Sequence, residues 1–384
     1  MAHLGGPNAR PRLAILGTRG VPAGHGGFET FAERLSIHLT VRGWDVTVYC
    51  QVDEGRQPSE DYWEGVKRVL VPAGRNDALG TMVFDAKATA HAARTDVLHL
   101  VLGYNTALLN ALTRLRGRRL VMNMDGLEWK RSKWNAAERA WLRLNEVVGA
   151  RVSHALVADH PEIARHLTRL RRADAIETIP YGADAVREAS LGALDRLGLS
   201  PGGYYLTVAR IEPENSLLEV VRAHRASGTN KRLVMLGRLD PAVNRYHALL
   251  REAASDACLF PGPIYEKEDV AALRYHAFAY VHGHTVGGTN PSLVEAMGAG
   301  NAVLAHENPF NRWVAGEGAI YFSDESALVA AMRRLEEEPG LRERMAAANR
   351  ARHASAFTWA VVLGQYEAFL GRQWDLSREP RRQP

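Results

Sequence analysis

One stretch of the sequence, residues 282–305, reads HGHTVGGTNPSLVEAMGAGNAVLA and combines a glycine pair with residues that start a helix. Gly287 and Gly288 allow a ligand to approach the backbone closely. Thr289 and Asn290 are typical helix-capping residues, and the proline after them suits a first helical turn. Because backbone N–H groups point out of such a turn, it is suited to bind an anion such as a phosphate.

Glu295 lies one turn into the helix that this turn would begin, which the sequence predicts over 292–299. A carboxylate at that position could accept hydrogen bonds from a ribose or sugar hydroxyl group. An ordinary strand–turn–helix crossover explains the same pattern, since glycine-rich crossovers are common. This stretch alone therefore leaves both interpretations open.

A second candidate anion ligand is Arg210, which ends the apolar run YYLTVAR at 204–210. Open parallel sheets bind ligands at the carboxyl ends of their strands. A guanidinium group placed there can hold a diphosphate through two parallel hydrogen bonds. The alternative is a surface ion pair with Glu212 or Glu214.

The elements that would position these residues form two successive series of alternating strands and helices, which predicts α/β domains with parallel sheets. In the first series a strand, a glycine-rich loop and a helix with apolar residues at helical spacing over 28–42 follow one another. A polar stretch around 181–201 separates the two series. Strands are predicted at 12–17, 44–50, 66–71, 97–102, 119–124, 154–159, 175–180, 204–210, 231–237, 257–263, 277–283, 302–305 and 319–322.

Length and composition agree with two soluble domains. The chain has 384 residues, of which 46% are apolar and 24% charged. No apolar run approaches the roughly 20 residues that cross a bilayer, and the N-terminus lacks the apolar core of a signal peptide. The two cysteines, Cys50 and Cys258, lie far apart, which fits a reducing cytoplasm. No cluster of ligands has metal spacing, so we predict no metal.

Basic residues concentrate in three stretches of the first half, at 114–119, 129–134 and 165–172, with tryptophans interleaved, among them Trp141. Such stretches suggest a surface that meets an anionic membrane or an anionic acceptor. Solvated helix faces explain them equally well. No nucleic-acid-binding module is present, and we expect no nucleic acid partner.

The chain resembles family 4 glycosyltransferases, which are retaining enzymes of the GT-B fold, through GGTNPSLVEAMGAGNAVLA at 287–305. It is similar, more narrowly, to the rhamnosyltransferase branch. The motifs are LGTRGVPAGHGGFETFAERL at 16–35, NMDGLEWKRSKW at 123–134 and RIEPEN at 210–215, and the likeness runs from about Arg12 to about Leu370.

This resemblance implies a domain organisation. Two Rossmann-like domains would face each other across a cleft, an acceptor-side domain over 12–185 and a nucleotide-sugar-binding domain over 186–356. A terminal helix at 357–375 would pack back on the first domain. The ends of the chain, 1–11 and 376–384, are predicted to be disordered tails.

The resemblance also implies roles in the first domain. Gly26 and Gly27 match paired glycines beside the donor phosphates, although loops need glycine for conformational reasons too. The loop does not spell G-x-G-x-x-G, which argues against a nicotinamide site. Asp125 matches a position that faces the acceptor sugar, where it could orient or deprotonate the attacking hydroxyl. As an alternative, Asp125 and the glycine after it form only a turn.

Further acceptor-side candidates extend the loop after Asp125, namely Glu128, Trp129 and Lys130. Glu29, at the start of the first helix, is another, with N-terminal helix capping as its alternative role.

Two departures from the family pattern affect the donor side. Asn215, which we include among the donor-binding residues, replaces a lysine that usually assists Arg210, and Gly287 replaces the first glutamate of the E-x7-E pair. Glu295 matches the second glutamate, whose role is to hold the nucleotide ribose. Backbone N–H groups of 287–290 must then do more of the work, helped by Thr285 or His284.

The function that the resemblance implies is transfer of a sugar from a nucleotide donor, namely L-rhamnose from dTDP-L-rhamnose, without a metal or other cofactor. The acceptor would be a polysaccharide or lipid-linked saccharide, and the enzyme would be cytoplasmic or peripheral on the inner face of the membrane. Two alternatives stay open. A sugar-nucleotide 2-epimerase would share the fold and need no acceptor, and a non-catalytic sugar-nucleotide sensor would tolerate the missing lysine and glutamate.

Overall fold

The computed structural model describes residues 10–24, 26–53, 55–73, 77–131 and 134–379. The chain forms two compact units. The first runs through Trp129, includes Trp134–Pro180 and takes in the chain from Val362 onward. The second comprises Tyr181–Val361 and a short segment that contains Lys130 and Arg131.

The first unit is built on a sheet of eight strands in the order β3-β4-β2-β1-β5-β6-β7-β8. Every neighbouring pair is parallel except β3 with β4. The strands are β1 (Arg12–Leu16), β2 (Asp45–Val52), β3 (Ser59–Trp63), β4 (Val66–Pro72), β5 (Leu98–Leu102), β6 (Leu120–Asn123), β7 (Ala155–Ala158) and β8 (Ile176–Thr178).

Helices alternate with these strands and cover their apolar side chains. The central strands β1 and β5 are almost wholly buried, as expected for a parallel sheet covered on both faces. The helices are α1 (Gly27–Val41), α2 (Ala78–Ala92), α3 (Ala111–Leu115), α4 (Ala136–Val152) and α5 (Pro161–Leu167), with a 3-10 turn at Ala107–Asn110 directly before α3.

The second unit contains a parallel sheet of six strands in the order β11-β10-β9-β12-β13-β14. Two apolar clusters form its core. One includes Tyr204, Leu206 and Tyr280, and the other includes Tyr205 and Leu233. The strands are β9 (Tyr204–Val208), β10 (Arg232–Leu236), β11 (Cys258–Leu259), β12 (Ala279–His282), β13 (Val303–His306) and β14 (Ala319–Phe322).

The helices of the second unit complete a second alternating series, so both units have the predicted Rossmann-like architecture. They are α6 (Gly192–Leu197), α7 (Leu217–Ser227), α8 (Arg245–Ala253), α9 (Lys267–Tyr275), α10 (Pro291–Gly298), α11 (Pro309–Ala315), α12 (Glu325–Glu337) and α13 (Leu341–Ala356).

The last helix, α14 (Trp359–Arg378), starts in the second unit and continues into the first. In the first unit its Tyr366 hydroxyl accepts a hydrogen bond from the Asn123 amide at 2.8 Å. Glu367 lies 2.8 Å from the imidazole of His38. Polar contacts therefore fix its position there in addition to apolar packing.

Several local expectations differ from the structure. The second unit begins at Tyr181, earlier than the predicted 186, and α14 extends to Arg378, into the segment 376–384 predicted to be a disordered tail. The helix continues because 374–378 reads WDLSR, without glycine or proline to end it. Residues 1–9 and 380–384 of the two predicted tails lie outside the described residues.

In the part of the chain that the structure describes, no helix combines the length and the apolar character that crossing a bilayer requires.

Candidate functional site

The carboxyl ends of β9 and β12, which are neighbours in the second sheet, bring two loops together. Thr285, in the loop after β12, donates two hydrogen bonds to the carbonyl oxygen of Glu214, in the loop after β9. The backbone N–H bond measures 3.0 Å and the hydroxyl bond 2.9 Å. Such adjacent loops at the carboxyl edge of a parallel sheet are the expected place for a ligand site.

Close backbone packing fixes the position of the two loops relative to each other. A Cβ atom on Gly283 would overlap the carbonyl oxygen of Asn215, so a glycine is required at this position. The Asn215 side chain is only 4% exposed, and its amide donates to the carbonyl oxygen of Arg210 at 2.7 Å. Asn215 therefore shapes the loop that carries Arg210.

Arg210 is exposed and follows the last residue of β9 by two positions. Neither Glu212 nor Glu214 forms an ion pair with it in the described chain, and Glu214 lies 3.9 Å from the guanidinium of Arg131 instead. The alternative of a surface ion pair thus receives no support from this geometry. The Arg210 guanidinium keeps its charge available for an anion.

Arg131 is a second cation near this edge, and the sequence pattern did not indicate it as a donor-side residue. It belongs to the second unit, with a side chain 23% exposed. Burial, together with the nearby positive charges of Arg131 and Arg210, lowers the pKa of His284 to about 3. Both guanidinium groups are therefore close enough to act on the same imidazole.

His284 is half-buried and stacks on the buried His282, with ring centroids 4.3 Å apart and an interplanar angle of 10°. Because its pKa is lowered to about 3, the ring is neutral at pH 7. It can exchange hydrogen bonds with a ligand but adds no positive charge. The positive charge at this edge comes from Arg210 and Arg131.

The glycine-rich turn after β12 has the helix start that the sequence predicted. Gly287 has a φ of 152°, a conformation that L side chains rarely adopt. Asn290 caps α10, since its side-chain oxygen accepts the N–H of Ser292 at 3.0 Å, and Pro291 occupies the first turn. The α10 N-terminus thus forms at the predicted residues, with Gly288 and Thr289 in the turn that leads into it.

Glu295 is held by a residue that the sequence did not single out. Its Oε2 atom lies 2.6 Å from Nη2 of Arg274 on α9, whose side chain is only 7% exposed. Nη2 of Arg274 also donates to the Ser292 hydroxyl at 3.1 Å. That hydroxyl lies 2.7 Å from the hydroxyl of Tyr280.

This arrangement orients the Glu295 carboxylate and leaves part of its hydrogen-bonding capacity unused. The Glu295 side chain remains 38% exposed, and the 2.6 Å contact with Arg274 involves its Oε2 atom. Carboxylates can accept several hydrogen bonds at once. A ligand hydroxyl can therefore bind to the rest of the group.

In the first unit, the predicted glycines precede α1. Gly26 has a φ of 107° and stands directly before the first helical residue, Gly27. The Glu29 carboxylate accepts the backbone N–H of Arg19 at 3.3 Å, and Glu33 accepts the N–H of Ala23 at 2.6 Å. Glu29 therefore helps to close this loop. In the described chain no side chain caps the N-terminus of α1, so the contact differs from the helix capping considered as its alternative role.

Asp125 follows β6 at the carboxyl edge of the first sheet and has a φ of 51°, in the left-handed region. Its backbone N–H donates to the Asn123 side-chain oxygen at 2.9 Å. The Asn123 amide donates in turn to Tyr366 of α14. The backbone therefore does turn at Asp125. Side chains of β6 and α14 hold this turn in a strained conformation, as often occurs at functional sites.

The residues after Asp125 have several intramolecular partners. The Glu128 N–H donates to the Tyr104 hydroxyl at 2.9 Å, and its carboxylate accepts the Trp134 indole N–H at 3.2 Å. The Trp129 indole donates to the buried Glu146 at 3.2 Å. Lys130 is exposed and belongs to the second unit. The predicted acceptor-side group is therefore divided between the units.

The first and third basic stretches, 114–119 and 165–172, are largely engaged in local contacts. Arg114 and Arg118 pair with His154 and Asp96, and the Arg119 guanidinium donates to Gln373. In the third stretch Arg165 pairs with Glu162 and Arg172 with Asp174, while Arg171 donates to backbone carbonyls. Most of these cations support the fold of the first unit.

A metal site is not apparent in the described part of the chain, where no group of three or more His, Cys, Asp or Glu side chains could hold an ion.

Comparison with known families agrees with the division into two units. Residues 11–184 match a domain of unknown function, DUF1972, and residues 200–352 match glycosyl transferases group 1. The second unit is therefore similar to the group 1 glycosyltransferases over residues 200–352. This match covers the loops with Arg210 and Gly287 and the helix with Glu295. No curated protein sequence matches the chain.

Solved structures of glycosyltransferases share the fold over nearly the whole chain. Sucrose-phosphate synthase from Thermosynechococcus elongatus matches with a TM-score of 0.79 and 18% identity over 96% of this chain and 100% of that chain. HepE of Anabaena, in complex with UDP and glucose, matches with a TM-score of 0.75 and 15% identity over 95% and 100%.

A third similar structure is an α,α-trehalose-phosphate synthase (UDP-forming) from Burkholderia xenovorans in complex with glucose-6-phosphate. Its TM-score is 0.71, with 12% identity over 94% of this chain and 100% of that chain. These likenesses establish the two Rossmann-like domains as those of the GT-B fold.

Proposed function

We propose that this glycosyltransferase is a retaining enzyme that moves a sugar from a nucleotide donor to a saccharide acceptor. The observation that carries the proposal is the cluster at the carboxyl edge of the second sheet. It combines the guanidinium groups of Arg210 and Arg131, the N-terminus of α10 and the carboxylate of Glu295. A nucleoside diphosphate presents matching groups, an anion followed by ribose hydroxyls.

Arg210 and the backbone N–H groups of the turn at 287–290 would bind the diphosphate and stabilise its charge as it leaves. Arg131 would supply the second cation, in place of the lysine that Asn215 replaces. Glu295, oriented by Arg274, would accept hydrogen bonds from the ribose hydroxyls. Thr285 holds the neighbouring loop, and the neutral His284 would act as a hydrogen-bonding group.

For the donor we propose dTDP-L-rhamnose. The support is the likeness of 16–35, 123–134 and 210–215 to the rhamnosyltransferase branch. Similar structures include one that holds UDP and glucose, so a uridine diphosphate sugar is the competing donor. A thermal-shift comparison of sugar nucleotides decides between them, since a ligand that binds the folded state raises its stability.

For the chemistry we propose attack on the same face that the diphosphate leaves. The acceptor oxygen bonds to the anomeric carbon as the bond from that carbon to the β-phosphate oxygen breaks, and the departing phosphate takes the hydroxyl proton. Gly287 stands where a carboxylate would be needed in this motif for a covalent intermediate. Asp125 would orient the acceptor hydroxyl, with Gly26 and Gly27 near the donor phosphates and Glu29, Glu128, Trp129 and Lys130 on the acceptor side.

For the acceptor we propose a polysaccharide or lipid-linked saccharide, met in the cytoplasm at the inner face of a membrane. The reaction would need no metal, because guanidinium groups and a helix N-terminus stabilise the leaving charge.

Incubation with a labelled sugar nucleotide, with and without acceptor, tests this function. Acceptor-dependent transfer of label to a saccharide is the expected result. Release of an altered sugar or sugar nucleotide without acceptor would instead identify an epimerase. Binding with no turnover under either condition would identify a sensor.

A further inference from the structure

Three consecutive segments of the first unit turn apolar side chains outward. On α2, Leu79, Met82 and Val83 are exposed, Leu79 by 61%. Their spacing of three and four residues places them on one helix face. Large apolar side chains exposed singly are ordinary, but a series along one helix face is informative.

The next segments repeat the pattern. Leu108, in the 3-10 turn, and Leu115, at the end of α3, are both exposed, Leu115 by 84%. On α4, Trp141 and Leu144 are exposed and lie three residues apart, with Leu144 exposed by 49%. The opposite side of α4 contains the buried residues of that helix.

Hydrogen bonds show that the three segments are neighbours. The Trp141 indole donates to the carbonyl oxygen of Asn105 at 3.1 Å, which joins α4 to the start of the 3-10 turn. The Thr106 hydroxyl donates to the Asp85 carboxylate at 2.8 Å, which joins that turn to α2. The exposed residues therefore form one patch, which we name the apolar face: Leu79, Met82, Val83, Leu108, Leu115, Trp141 and Leu144.

Cations border the apolar face. Lys87 follows Val83 by one turn of α2, and Arg151 follows Leu144 by two turns of α4. Arg116 comes directly after Leu115, and its guanidinium donates to the carbonyl oxygen of Ala90 in α2 at 3.3 Å. All three are exposed, and in the described chain none of them forms an ion pair.

The carboxylates of the same helices have other partners. Asp85 accepts from Thr106, Glu138 forms the capping box of α4, and the buried Glu146 accepts from the Trp129 indole. The exposed border is therefore predominantly positive. An apolar centre with a cationic border complements an anionic lipid surface, in which acyl chains lie beneath negatively charged headgroups.

We propose that the apolar face is a membrane-docking surface that inserts Leu79, Val83, Trp141 and Leu144 into the headgroup region of an anionic bilayer. Lys87, Arg116 and Arg151 contact the lipid headgroups. This inference deepens the proposed function, since it places the partner membrane on these helices. The cations of the first and third basic stretches other than Arg116 mostly contact groups within the protein.

Flotation of the full-length protein with phosphatidylcholine vesicles, with and without phosphatidylglycerol, tests the proposal. Wild type is expected to bind the anionic vesicles and to lose binding as salt rises, because surface charges are screened. The double variant Val83→Glu/Leu144→Glu should bind at least about tenfold more weakly, since two charges would then enter the bilayer interface. Val243→Glu, at an exposed valine of the second unit, is the matched control and should bind like wild type.

Two readouts keep the outcomes apart. Quenching of the protein's tryptophan fluorescence by brominated lipid should appear in wild type and decrease in Trp141→Phe. The difference reports insertion at the apolar face. Calorimetric binding of UDP and dTDP tests the nucleotide site independently, and the Val83→Glu/Leu144→Glu variant should match wild type there.

Equal vesicle binding by wild type and the double variant would overturn the proposal. Absence of wild-type binding to anionic vesicles at low salt would overturn it as well. A further outcome is that light scattering shows the wild type to self-associate, that it does not bind vesicles, and that the double variant loses the self-association. That result would assign the apolar face to contact with a second copy of the chain instead. Absence of nucleotide binding by the wild type would refute the proposed function. The vesicle experiment would still test the membrane-docking surface independently.

Discussion

Nη2 of Arg274 lies 2.6 Å from Oε2 of Glu295, and the arginine side chain is almost completely buried. The carboxylate is therefore fixed from the protein side by a charge-assisted hydrogen bond, while part of it remains exposed. This relationship explains how a single glutamate on a short helix can present a defined acceptor to a ribose. It also links nucleotide binding to a residue on a different helix.

Substitution of Glu295 by Gln is expected to weaken binding of a nucleoside diphosphate by roughly tenfold to a hundredfold, the value of a hydrogen bond to a charged group. Arg274→Gln should weaken it less, because the carboxylate remains but loses its fixed orientation. Isothermal calorimetry with UDP and dTDP measures both.

The double variant of Arg274 and Glu295 provides the decisive comparison. Because Arg274 acts through Glu295, the double variant should bind no more weakly than Glu295→Gln alone. Arg196→Gln, which removes an exposed ion pair with Asp269 in the same unit, is the control. Wild-type affinity in Glu295→Gln would contradict the ribose assignment.

Arg210→Ala removes the guanidinium group and should lower kcat/KM. The expected loss of transition-state stabilisation is about 2–4 kcal/mol, by analogy with other charge-stabilising groups. Arg131→Ala should cost less, since Arg131 also interacts with Glu214. Steady-state kinetics and nucleotide calorimetry measure these effects, with the exposed Arg225→Ala as control. Near-normal kinetics in Arg210→Ala would show that other groups hold the phosphates.

Asp125→Asn should lower kcat by roughly 100-fold or more while nucleotide affinity stays unchanged, because the residue is proposed to act on the acceptor. Asparagine also tolerates the left-handed backbone that Asp125 adopts, so the turn should survive. Comparable melting temperatures would verify the fold. A loss of nucleotide binding without a loss of kcat would refute the acceptor-side role.

The pH dependence of stability should reveal Asp85, because burial raises its pKa from 3.8 to about 6. Between these values the folded state holds a proton that the unfolded state has released, so stability falls as pH rises through this range and stays reduced above it. Asp85→Asn removes the cost of burying the ionised carboxylate. The free energy of unfolding of this variant should exceed that of wild type at pH 7 by at most about 3 kcal/mol.

Urea unfolding at pH 7 and at pH 3.5 measures this difference, which should shrink at the lower pH, where both states bind the proton. Asp256→Asn, at an exposed position, is the control. A variant that is less stable than wild type at both pH values would show that the Asp85 charge is not penalised.

Local patterns predicted much of the fold. Apolar runs located the central strands of both sheets, and the cap and proline chemistry located the start of α10 at Asn290 and Pro291. The edge strand β3 was missed, because Ser59–Trp63 is mostly polar and exposed and derives its order from pairing with β4. The strand predicted at 257–263 is reduced to Cys258–Leu259, since prolines follow that lack an N–H for the ladder.

The site was less accessible to sequence reasoning, for a physical reason. Arg210, Gly287 and Glu295 stand at strand ends and a helix start, where local chemistry marks them. Arg274 and Arg131 reach the same edge only through tertiary structure, from α9 and from a distant loop. Sequence reasoning placed Asn215 among the donor-binding residues but could not show that its amide donates to the carbonyl oxygen of Arg210.

The most direct test of the central claim is an NMR spectrum of the product made from dTDP-β-L-rhamnose and a saccharide acceptor. A retaining transfer predicts a new β-L-rhamnosyl linkage, which the one-bond anomeric C–H coupling identifies, formed only when acceptor is present. An α-L-rhamnosyl product would contradict same-face attack and require a general base behind the anomeric carbon. A rhamnose-derived product formed equally without acceptor would contradict glycosyl transfer itself.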